Sequence, residues 1–96
     1  MRRTGGAVAS VSDPDIVTAI RLLARTEGIF AETAGGVTLA TFQKLLASGQ
    51  ASRDAETVLL NTGDGLKTLD AVADQVGPTA IIDPKVAEVH SVINAR

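Results

Sequence analysis

The sequence has no cysteine, tryptophan or tyrosine, and its only aromatic residues are Phe30 and Phe42. Without cysteine, disulfides, thiolate catalysis and zinc–thiolate centres are all excluded. With two rings, the core must be built from Ala, Val, Leu and Ile, whereas large rings normally contribute much of the burial in a small domain. The chain is therefore expected to be weakly stable alone. Charge of one sign is also scarce: the net charge is −2, with acids and bases interspersed. The one basic pair, Arg2-Arg3, has no aromatic neighbours, so a nucleic-acid role lacks both an electrostatic stripe and a stacking platform. No apolar run approaches the length of a membrane span, and no signal peptide is expected after Met1. These absences point to a cytoplasmic setting, with no nucleic acid and no membrane among the expected partners.

What is present is a chain of 96 residues, 45% of them apolar. That suffices for one globular unit near the lower size limit of a self-sufficient core. Ala7, Ala9 and Val11 alternate as in a short strand. "SDPD" opens a helix, either with Ser12 as cap and Asp15 answering it, or with Asp13 as cap and Pro14 at the first helical position. Ile16, Ile20, Leu23 and Ala24 then share a face, and Gly28 stops the helix. Ile29–Glu32 reads as a strand or strand-like turn. A helix from Ala34 to Ser48, apolar on two faces, should lie buried between layers.

Thr57–Asn61 reads as a strand whose Val58-Leu59-Leu60 centre is covered on both faces. "TGDG" turns the chain into a helix carrying Leu66, Leu69, Ala73 and Val76, stopped by Gly77-Pro78. Thr79–Ile82 is one more possible strand. Asp83-Pro84 opens a last helix bearing Val86, Val89, Val92 and Ile93. The alternation implies an α/β fold, a partial parallel-sheet layer with helices. With so few strands its edges stay open, and the pattern looks like a piece of something larger.

Ligands in open α/β sheets bind at strand C-terminal ends, where Glu32 and Thr62 are expected, each followed by glycines. Each has a plain structural role available: a carboxylate at a helix N-terminus for Glu32, a turn hydroxyl or cap for Thr62. "GDGLKT" is a poor phosphate loop. Thr68 stands where a dinucleotide fingerprint needs glycine, the Walker spacing is missing, and Asp64 sets a negative charge where a phosphate should lie. His90 has no ligand cluster around it. Lys44, Lys67 and Lys85 are the candidate amines for covalent chemistry, and each reads as part of a solvated face.

The block E-G-I-F-A-E-x-A-G-G at Glu27–Gly36, followed by T-G-x-G-L-K at Thr62–Lys67, resembles the C-terminal part of threonine synthase. That family belongs to the pyridoxal-phosphate enzymes of the tryptophan-synthase β-like fold. The resemblance runs from about Arg2 to about Thr79 within a single segment, 1–96, and leaves 80–96 as an unmatched tail. It implies a lyase of threonine biosynthesis that converts O-phosphohomoserine to threonine and phosphate, with the cofactor carrying the electronic work. It further implies that Thr62 hydrogen-bonds the pyridine nitrogen, that Glu32 lies close to the cofactor in the same cleft, and that Gly63, with Gly35, Gly36 and Gly65, lets backbone approach.

The family's Schiff-base lysine follows a phenylalanine, and its phosphate loop is rich in glycine and asparagine. Neither feature is in this sequence, and Thr33 stands where the family often has proline. The chain is accordingly expected to contribute the pyridine-ring side of a cofactor site, to bind pyridoxal phosphate weakly by itself, and to be inactive alone. It would be completed by a homo-oligomer or by a complementing N-terminal chain. The alternative is a non-catalytic oligomerising or partner-completing structural module.

Overall fold

Ser12 begins the first long element by a reciprocal cap. Its hydroxyl accepts from the Asp15 amide at 3.4 Å, while its own amide donates to the Asp15 carboxylate at 3.1 Å. Of the two possible caps the chain thus uses Ser12, with Pro14 inside the first turn where its missing N–H is not needed. Helix α1, Asp13–Glu27, ends at Gly28, whose φ of 69° is the left-handed conformation that favours glycine. The structure, a computed structural model, describes residues 2–95.

Helix α2 spans Thr33–Ala47 and lies against α1. Gly36 sets their separation. A Cβ there would meet Ile20 Cγ1 at 2.7 Å and the Ile16 carbonyl oxygen at 2.8 Å, so only glycine admits this approach. A helix-interior glycine costs about 1 kcal/mol against alanine. Here that cost is offset by close packing on Ile16 and Ile20, the latter fully buried beside Ala19. Ala31, Ala40 and Val72 complete the core.

Beyond α2 the chain becomes less regular. Gly65–Ala71 forms 3-10 turns that leave helical geometry at Thr68, followed by the single-turn helix α3, Ala73–Val76, and, after a coil, helix α4, Val86–Asn94. The single helix expected from Leu66 to Val76 is therefore broken. A physical reason lies at Thr68, whose backbone departs to φ −135°, ψ 42° while its hydroxyl accepts from the Thr33 amide at 3.1 Å. That bond caps the otherwise uncapped start of α2 from 35 residues away.

The parallel-sheet layer is not there. Among the described residues there is no strand, and the expected α/β class is corrected to a helical one. Residues 7–11, 57–61 and 79–82 are coil, and Ile29–Glu32 contributes only an isolated antiparallel bridge between Ala31 and Asp64. A strand is defined by its neighbour's hydrogen bonds, and residues 7–11, 57–61 and 79–82 find no ladder partner among the described residues. Val58 and Leu60, expected inside a doubly covered strand, are 79% and 74% exposed, and Ile81 is 100% exposed. Apart from half-buried Val92, every residue of α4 is exposed as well. The molecule is accordingly long, 62 × 26 × 19 Å, with a radius of gyration of 17.8 Å. A compact chain of this length would have about 13 Å.

Candidate functional site

The two passages singled out by sequence meet in space. The Glu32 amide donates to the Gly63 carbonyl at 3.1 Å, and the Gly65 amide donates to the Phe30 carbonyl at 2.8 Å. The segment before α2 and the glycine turn are thereby clipped together through backbone, independent of side chains. Their glycines serve this closeness. The Phe30 ring lies over Gly65, where a Cβ would sit 2.6 Å from ring carbons. At Gly63 a Cβ would occupy the place of the Glu32 carboxylate, and at Gly35 it would run into the Asn61 side-chain oxygen.

An open cleft of about 420 Å³ lies at this junction, lined by Gly28, Ile29, Phe30, Asn61, Thr62, Gly63 and Asp64. Thr62 is exposed there, and its hydroxyl makes no hydrogen bond to the described residues. Asp64 is occupied: its carboxylate caps the following turn by accepting from the Leu66 amide at 2.8 Å. Glu32 does not line the cleft with Thr62. It is the N-cap residue of α2, with no side-chain cap bond. Its carboxylate lies against Gly63 and pairs with Lys67 at 3.0 Å.

Lys67 was not promoted by its sequence context, and neither were Asn61 or Thr68. A signal for Lys67 was present nonetheless. A carboxylate drawn in beside a glycine turn needs a countercharge, and Lys67 is the base that directly follows that turn. The other amines are engaged elsewhere: Lys44 donates to the Ser10 carbonyl at 2.6 Å, and Lys85 pairs with Asp83 at 3.1 Å. His90 stands exposed on α4, and no group of three or more metal-ligating side chains occurs among the described residues. No helix of the described residues is long and apolar enough to cross a membrane.

The sequence pattern described as "Pyridoxal-phosphate dependent enzyme" matches residues 1–63, the stretch that runs from the N-terminus to the glycine turn. The chain belongs to this pyridoxal-phosphate-dependent enzyme family. Its curated relatives are threonine synthases, and the likeness is to a C-terminal part of that enzyme. The threonine synthase of Methanocaldococcus jannaschii is 47% identical over 68 residues, which are 71% of this chain and 17% of that protein. That of Methanosarcina acetivorans is 33% identical over 93 residues, 97% of this chain and 23% of that protein. That of Halalkalibacterium halodurans is 39% identical over 64 residues, 67% of this chain and 18% of that protein. The chain thus spans about a fifth of the length of the curated relatives it matches.

Toward the family's cofactor the cleft offers a hydroxyl and bare backbone. The Thr62 hydroxyl is uncommitted and could meet a ring nitrogen, and Gly63 brings bare backbone to its rim. The cleft-lining residues include no lysine for a covalent link, and Asp64 on its rim opposes a phosphate.

Proposed function

We propose that this chain is a segment of a threonine-synthase-like enzyme and contributes the pyridine-ring side of its pyridoxal-phosphate site. The single observation that carries the reading is the clipped pair of passages, which sets an unengaged Thr62 hydroxyl in the cleft beside Gly63. The family reaction converts O-phosphohomoserine to threonine and phosphate. When bound, the cofactor supplies the electron sink for that chemistry. Thr62 would meet the ring nitrogen with a neutral hydroxyl, which would not hold that nitrogen protonated and would so moderate the sink. Gly63 admits the ring close to backbone, and Phe30 walls the cleft. The amine that links the cofactor and the loop that holds its phosphate come from outside these residues. The chain alone therefore binds pyridoxal phosphate weakly and does not turn over.

The test is reconstitution. The chain is purified together with a polypeptide that supplies the missing lysine and phosphate loop, and threonine formation from O-phosphohomoserine is followed. Activity should appear and fall roughly tenfold in Thr62→Ala, the scale of one lost hydrogen bond of about 1.4 kcal/mol. Full activity in Thr62→Ala would contradict the reading.

A second reading, a non-catalytic module completed by self-association, is favoured by one observation. Val58, Leu60, Val86 and Ile93 expose apolar surface along the chain's second half. Homo-oligomerisation would cover it. Sedimentation separates the readings, since a compact dimer without cofactor supports the module.

A further inference from the structure

Glu32 combines features that its helix position does not explain. Its side chain is only 13% exposed, and as N-cap of α2 it offers no hydrogen bond to the helix amides. A carboxylate drawn in this far is unfavourable unless it is paired. Lys67 supplies the pair at 3.0 Å, from a side chain that is itself 65% exposed. Glu32 meets Gly63 twice, once by a hydrogen bond and once by packing. Its amide donates to the Gly63 carbonyl, and its carboxylate occupies the space that a Cβ on Gly63 would fill. Gly63 is the residue immediately after Thr62, so holding the Gly63 carbonyl restrains the turn on which Thr62 sits. An ion pair with so exposed a partner contributes little to global stability, typically 0.2–1 kcal/mol. Its consequence is therefore local.

We propose that Lys67 is a positioning residue: by holding the Glu32 carboxylate on Gly63 it fixes the glycine turn and thereby the presentation of Thr62 to the cleft. The inference deepens the ring-side reading above and rests on it only for what Thr62 faces. The Lys67 backbone amide donates to the carbonyl of the cleft-lining Asp64 at 3.2 Å, while its ammonium group pairs with Glu32 and acts through that carboxylate and the Gly63 turn.

The experiment follows amide hydrogen exchange in the purified chain by nuclear magnetic resonance, in wild type, Lys67→Met and Lys67→Arg. In Lys67→Met the Glu32 and Gly65 amides should exchange roughly two- to fivefold faster, the range of one exposed ion pair. The amides of α1 should be unchanged, which reports that the variant is folded, and Lys67→Arg should restore the wild-type rates. Unchanged exchange in Lys67→Met, or no recovery in Lys67→Arg, would overturn the proposal.

A second measurement adds pyridoxine, which carries the pyridine ring without aldehyde or phosphate. Resonances of Thr62 and Gly63 should shift in wild type and Lys67→Arg, and less in Lys67→Met. Equal shifts in all three overturn the positioning role. No shift in wild type overturns the ring-side reading instead, while the exchange rates still decide whether Lys67 holds the turn.

Discussion

At the scale of single residues, the site is made by missing Cβ atoms. Gly36 lets α1 reach α2, Gly65 lets the Phe30 ring lie on backbone, and Gly63 leaves room for the Glu32 carboxylate. Substitution should separate these roles. Gly36→Ala has the backbone carbonyl of Ile16 in its way, which cannot swing aside. Overpacking of this kind costs about 1–3 kcal/mol, against the roughly 1 kcal/mol that alanine usually gains in a helix. Urea unfolding should therefore show a net loss of stability, and unchanged or raised stability would show that the helices part without cost. In Gly63→Ala the obstacle is a flexible carboxylate, so the fold should persist while the Glu32–Lys67 pair is lost. The sequence made Glu32 conspicuous because a charge stood in a small, apolar junction. It did not disclose the direction of the carboxylate, which depends on a lysine 35 positions away.

At the scale of elements, the first two helices were legible because their instructions are local, whereas the one expected from Leu66 to Val76 is broken at Thr68. The Ser12–Asp15 cap, Pro14 and Gly28 delimit α1 within their own neighbourhoods, and α2 begins within a residue of its expected start. The Asp15 carboxyl is held below its ordinary value of 3.8, first by the Ser12 hydroxyl and then by the Ser12 amide. A depressed carboxylate pKa means that the folded form binds fewer protons than the unfolded one. The contribution is then complete above 3.8 and fades as pH falls through the lower folded value. Thermal unfolding followed by circular dichroism should show this loss in wild type and a smaller one in Ser12→Ala. Equal losses in both would remove the cap from the explanation. Thr68→Val should cost about 0.5–2 kcal/mol by uncapping α2, although the two lie far apart in sequence. No pattern around Thr68 could have revealed that bond, because its acceptor and donor meet only once the passages are clipped. Strands were misread for the same reason. The run Val58-Leu59-Leu60 has strand composition, yet without a neighbour it is exposed coil.

At the scale of the whole molecule, a small helical core in a 62 Å long chain leaves many apolar side chains uncovered. Introducing charge there, as in Val58→Glu with Leu60→Glu, should lower any self-association in sedimentation while leaving the helix signal intact. Unchanged association would place the contact elsewhere. We propose that the chain supplies the ring side of a cofactor site and that the linking amine comes from elsewhere. This central claim is tested most directly by mixing the purified chain with pyridoxal phosphate, reducing with borohydride, and weighing the product. The account predicts no stoichiometric adduct at a single lysine and no phosphate release from O-phosphohomoserine. One stoichiometric adduct at Lys44, Lys67 or Lys85 together with phosphate release would contradict it.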